Sequence, residues 1–281
     1  MFSSFTFKNI LRFSVFFVFI GRAWQHLFWD APYRSLLWDE ALLKPIVENL
    51  FATPWYDYVT SETTDVCIQN LIFSTGVVYF IAALAVVFYE RYKSKLLRFF
   101  IFLGGVNLIL LSFLLMKEKF YHAAQFFEQG IQFSLPFVFV YAYSEKVELK
   151  KLVLALKLLI AIVFVSHGLY AVGYYPVPGK FVDMIIAIFS FSEPMAKNML
   201  LFAGGMDFLV AVLLFVPKFS RAALWYACIW GMLTAFARIV AGFQIDFAWQ
   251  SIHQELYGTL YRLGHGLVPL CVILLEGNKE E

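Results

Sequence analysis

Residues 67–89 read CIQNLIFSTGVVYFIAALAVVFY and contain no Asp, Glu, Lys or Arg. A bilayer's hydrocarbon core takes about 20 apolar residues to cross, and a backbone there must satisfy its own hydrogen bonds, so this stretch predicts a transmembrane helix. Comparable runs lie on either side of it, at 9–28, 97–116, 123–144, 151–172, 198–216, 222–242 and 257–276. The fold class expected is all-α: a polytopic membrane protein of eight transmembrane helices. Composition agrees. Of the 281 residues 61% are hydrophobic, 15% are charged and 33 are Phe. A soluble chain carries about 25% charged residues, and so few charges cannot cover a water-facing surface of this size.

The charged start and the apolar run 9–27 are followed by no small-residue cleavage pattern, so the run reads as a retained first helix. Glycines at 76, 104, 105, 204, 205 and 231 suit close helix packing in lipid.

The turns after helices 2, 4 and 6 carry Arg91, Lys93, Lys95 and Arg98; Lys146, Lys150 and Lys151; and Lys218 and Arg221. The opposite loops are poorer in Lys and Arg, and 29–66 is acidic. The positive-inside rule therefore places both termini in the cytoplasm, most simply across a bacterial inner membrane. Helix, long outer loop and three closely spaced helices occur twice. The seam near 145–151 gives two four-helix units, 1–146 with outer loop 29–66 and 147–281 with outer loop 173–197. Gly76 is matched to Gly205 and Pro136 to Pro269, and four helices per unit make the repeat parallel. In the outer loops, 41–51 and 181–189 are too short to span and read as interfacial or re-entrant helices.

Three cysteines, Cys67, Cys228 and Cys271, form no CxxC spacing, which argues against a disulfide framework or a thiol relay. Five histidines show no metal-ligand spacing, so no metal site is expected. A phosphate-cradling loop, a nucleophile elbow and HExxH are all absent, and the reading leans away from an enzyme. Nothing points to nucleic acid.

What remains is a polar layer near the outer side. Arg22 and His26 are i,i+4, and Arg262 and His265 are i,i+3, so each pair shares a helix face. Glu128 and Gln132 belong to a polar stripe on helix 4, and His167 and Arg238 sit near the outer ends of helices 5 and 7. Asp207 lies deeper, after two glycines. It is expected either to be protonated or to pair with a cation such as Arg238 or Arg262. Ionisable residues inside a membrane are costly, so these nine form the candidate ligand site. Arginines there suit a lipid phosphate, a carboxylate or a quinone oxygen.

The stretches FVFIGRAWQHLFWD (17–30) with STGVVYFIAALAVVF (74–88), and VFVSHGLYAVGYYPVPGKFVDMI (163–185) with AGGMDFLVAVLLF (203–215), together resemble the DoxX-like superfamily. The resemblance covers about 8–145 and 150–276 as two fused units. It implies redox work near a membrane, such as thiosulfate–quinone oxidoreduction or disulfide supply to periplasmic enzymes. The paired cysteines that thiol chemistry requires are missing here. The leading expectation is an accessory or scaffold subunit of an envelope membrane complex, whose polar layer binds a lipid or a partner segment. The alternatives are a quinone-linked redox subunit and a small-molecule or lipid transporter. No cofactor is required, with a quinone or bound lipid as the ligand class left open. The expected partners are membrane lipids and, through the outer loops, other membrane or periplasmic proteins.

Overall fold

A computed structural model describes residues 2–277. Met1 and residues 278–281, and with them the outer limits of the two expected units and both termini, lie outside the described residues.

The described residues are helical and contain no strand. In chain order the helices are α1 (Phe2–Phe28), α2 (Arg34–Leu37), α3 (Glu40–Leu50), α4 (Trp55–Thr60), α5 (Glu62–Tyr92), α6 (Lys95–Glu118), α7 (Ala123–Glu128) and α8 (Gly130–Ala142). There follow α9 (Leu149–Ala171), α10 (Gly179–Phe189), α11 (Glu193–Leu213), α12 (Pro217–Gly242), α13 (Ala248–Leu260) and α14 (Gly264–Gly277). Local chemistry sets the ends. Ser61 caps α5 by accepting from the Thr64 N–H at 3.3 Å, and Glu62 and Asp65 complement the first turn's dipole. Asp39 caps α3 through the Leu42 N–H at 3.0 Å. Its other oxygen pairs with Lys117, tying α3 to the end of α6.

Five helices (α5, α6, α9, α11 and α12) and the bent run Ile245–Gly277 are long and apolar enough to cross a membrane. The outside of the bundle fits that environment. Phe73, Phe80 and Phe88 on α5, Phe99 and Phe102 on α6, and Trp225 and Ile229 on α12 are all exposed. Such a surface is at home in lipid, not in water. The protein is thus built as a helical, multi-pass, membrane-embedded chain.

All eight expected runs are helical, but two are not continuous. The run expected at 123–144 breaks at Gln129 into α7 and α8, and the thirteen-residue α8 is too short to span by itself. The run expected at 257–276 breaks at 261–263 between α13 and α14. Each break is followed at once by glycine (Gly130, Gly264) and then by a helix proline (Pro136, Pro269). The loop segments 41–51 and 181–189 appear as α3 and α10. On α3 the apolar residues Leu42, Ile46 and Leu50 are exposed.

α1 packs on α5, α8, α13 and α14, while α9 packs on α7, α8, α11 and α14. The main core therefore joins both halves of the chain, with Phe19, Tyr79 and Leu135 in the same cluster as Ile160, Val268 and Val272. Two close approaches hold the α13–α14 break in place. A Cβ on Gly21 would stand 2.8 Å from the Tyr261 nitrogen, and one on Gly231 would stand 2.6 Å from the His265 carbonyl carbon. Only glycine lets α1 and α12 sit this near the break. The matched Gly76 and Gly205 differ in their packing. Gly76 packs on His26 and Leu27, Gly204 packs on Ala171 and Val172, and Gly205 has nothing within 4 Å. On α11 it is Gly204, not Gly205, that a neighbouring helix approaches closely.

Candidate functional site: a buried polar layer and an apolar cavity

The two helix breaks lie toward the end of the bundle that carries the long connections 29–61 and 172–192. They place the polar stripe of α7–α8 beside the Arg262–His265 segment. Arg22, on α1, is buried between them. Its Nε and Nη2 donate to Gln132 Oε1 at 3.1 and 2.7 Å, Nη2 also to Gln129 Oε1 at 2.8 Å, and Nη1 to Gln25 Oε1 at 2.8 Å. The guanidinium lies 3.8 Å from the centroid of the Tyr261 ring, a cation–π contact. No carboxylate pairs with it among the described residues. Arg22 does not snorkel to a helix end; glutamine carbonyls and an aromatic face solvate it inside the bundle.

Glu128, at the end of α7, is also buried and takes the other arginine. Arg262 Nη2 donates to Glu128 Oε1 at 2.8 Å. His167 Nε2 stands 3.9 Å from the same oxygen, and Gln125 Nε2 donates to Oε2 at 3.3 Å. The His167 and His265 ring centroids are 5.8 Å apart. His265 Nδ1–H donates to the Arg262 carbonyl at 2.9 Å, and His26 Nδ1–H donates to the Arg22 carbonyl at 2.8 Å. A carbonyl can only accept, so in both rings the proton is on Nδ1. In both, Nε2 is buried without a partner among the described residues.

Beside this layer is a cavity of about 380 Å³. Its polar lining comes from α9 (His167), α11 (Asp207), α12 (Thr234 and Arg238), the α13–α14 break (Arg262) and the start of α14 (His265). α10 contributes only apolar groups, including Phe181, Ile185 and Ile188. Leu233, Phe236 and Val240 line the cavity and are also 58%, 51% and 61% exposed. The mouth therefore opens sideways, onto the apolar outer face of α12.

Two ionisable residues in the cavity wall have no ion-pair partner among the described residues. Arg238 is 9% exposed and its Nε is unsatisfied. Asp207 is 4% exposed with Oδ1 unsatisfied. The expected pairing of Asp207 with Arg238 or Arg262 is not present: Arg262 is engaged by Glu128. The reason is depth and rotation. Gly204 packs on Ala171 and Val172 and so fixes α11 against α9, while α7 brings Glu128 to Arg262 from the other side.

Of the nine expected site residues, His167, Asp207, Arg238, Arg262 and His265 share the cavity wall, and Glu128 stands behind them. Arg22 and Gln132 form a separate buried group. His26 stands apart, with ring centroids 5.1 Å from Tyr79 and 5.8 Å from Tyr33. His253 lies in α13 among Trp24, Phe28 and Trp29. Tyr261 is not singled out by sequence because one tyrosine in an aromatic-rich chain carries little signal. Its spacing to Pro269, the same as that of Glu128 to Pro136, was the available clue.

Among the described residues no His/Cys/Asp/Glu group could hold a metal ion, and nothing in the site indicates a cofactor. Comparison with protein-family models, curated proteins and solved structures finds no match.

Proposed function

We propose that this chain is an accessory subunit of an envelope membrane complex that holds an acidic or carbonyl-bearing ligand, a lipid or a partner segment, in the cavity beside Arg238. The carrying observation is Arg238: a buried guanidinium with an unsatisfied Nε and no counter-ion among the described residues, in the wall of an otherwise apolar space. Leaving a buried charge unpaired is costly, and a ligand oxygen would relieve it. In this reading the chain crosses a bacterial inner membrane eight times, as two DoxX-like units at 1–146 and 147–281. α7–α8 and α13–α14 would serve as broken spans, which membranes tolerate where the open backbone is buried in protein. Support for the tandem arrangement comes from the paired breaks with Pro136 and Pro269, and from Gly76 and Gly204, which pack alike on α1 and α9. Support for cytoplasmic termini comes from the Lys and Arg in the short turns.

The cavity belongs to the second unit for a steric reason. If Val18-Phe19-Ile20-Gly21-Arg22 corresponds to Val163-Phe164-Val165-Ser166-His167, and Gly76 to Gly204, then Arg22 and His26 correspond to His167 and Ala171, and Tyr79 to Asp207. The second set is smaller at every position. A quinone-linked role is the second reading, favoured by His265. Its bare Nε2 would accept from a quinol hydroxyl while an arginine donates to the far oxygen.

The test is native mass spectrometry of the protein purified in mild detergent, wild type beside Arg238→Gln. A bound species lost in the variant, with unchanged melting, is the expected result. A wild-type protein that carries nothing, and a variant whose partners in a pull-down are unchanged, would overturn the proposal.

A further inference from the structure

The charges around the cavity can be counted, and the count limits the ligand. Arg262 is neutralised by Glu128 at 2.8 Å. Arg22 is not in the cavity wall and is solvated by glutamines. Asp207, an isolated carboxyl without a hydrogen bond at Oδ1, suits the site as the neutral acid. Glu255, the other carboxylate that acts on Arg238, is paired with Lys180 at 3.0 Å, so one positive charge, that of Arg238, is left for a ligand to meet. A dianionic phosphate monoester would bring a second negative charge into an apolar space with nothing to balance it.

The shape adds a second limit. At about 380 Å³ the cavity has the volume of roughly a dozen waters. A methylene is of similar size, so an alkyl chain of about that many carbons finds room in it. Chemistry divides across the space: α10 offers only apolar contacts, and Arg238 faces it from α12 near the α13–α14 break. The mouth at Leu233, Phe236 and Val240 opens where lipid would lie.

Resting on the function proposed above, we infer that the ligand is a monoanionic lipid, with its head on Arg238 and an acyl chain under α10. A long-chain carboxylic acid and one chain of an anionic phospholipid share this chemistry. The Arg238 fork matches a carboxylate or phosphodiester oxygen pair, and entry is sideways from the bilayer.

Trp230 lines the cavity and provides the readout, because a bromine on a chain quenches a tryptophan it touches. The probes, added to protein in detergent, are dibromostearic acid, phosphatidylglycerol with one brominated chain, and dibromostearyl alcohol. Decylubiquinone is added as a competitor. Saturable quenching by either acid, at least about tenfold weaker with the alcohol, is expected, with Arg238→Gln reducing acid affinity about ten- to a hundredfold. Trp230→Phe should remove most of the quenching while native mass spectrometry still detects the bound acid. Ala203→Trp should fill the chain site and block the acids without touching the charge. Equal binding of acid and alcohol would overturn the monoanion. If decylubiquinone alone binds, and does so through Arg238, the lipid class falls while the proposed site stands. If no probe binds in an Arg238-dependent way, both fall.

Discussion

Glu128 stands to Pro136 as Tyr261 stands to Pro269, and each crosses to the other half of the chain. Glu128 meets Arg262 and His167, while Tyr261 lies over Arg22. The two helix breaks are thus interlocked. Tyr261 and Arg262 reach the first half and Glu128 reaches the second, so the polar layer joins the halves beside the main core.

The Glu128–Arg262 pair is buried on both sides, with side chains 6% and 13% exposed. Removing one partner leaves the other charge stranded, which typically costs roughly 3–5 kcal/mol. Glu128→Gln and Arg262→Leu should each lower the melting temperature in detergent sharply, and the double variant should recover part of the loss. Strictly additive losses would show that the two residues do not act as a pair.

Asp207 should behave differently. With no cation paired to it among the described residues, Asp207→Asn keeps size and polarity and removes no ion pair. Its melting shift should be far smaller than that of Arg262→Leu. A loss of comparable size would mean that Asp207 is held as a charged group after all.

Acid should loosen α3. The Lys117 ammonium, aided by the Leu42 N–H, holds the Asp39 carboxyl below its ordinary range. A depressed folded-state value means that the stabilisation is fully present above about pH 4, the unfolded value. It is lost as pH falls through the lower folded value. Hydrogen exchange across 40–50 should therefore quicken below about pH 4, and Asp39→Asn should show the fast rate already at pH 7. Exchange in wild type that is flat down to pH 3, after correction for intrinsic rates, would count against the anchor.

Orientation is checked with a reporter active only in the cytoplasm. Fusions within 91–95 or after Glu281 should be active, and fusions within 53–64 should not. Activity from the 53–64 fusion would reverse the charge-based topology.

The sequence by itself determined the membrane class, because 61% hydrophobic and 15% charged residues leave no soluble alternative. It also located the eight apolar runs and the two loop helices, since apolar length and i,i+3/i+4 patterning are local properties. It picked out the nine polar residues, because an ionisable group in an apolar run stands out wherever it goes. The partners were not legible. Arg262 and Glu128 are 134 residues apart in the chain, and which carboxylate meets which arginine depends on the rotation and depth of each helix. Packing sets those, through contacts such as Gly231 on His265 and Gly21 on Tyr261. Only the tertiary structure could therefore give Glu128 to Arg262, leave Asp207 and Arg238 without an ion pair among the described residues, and open the cavity between them.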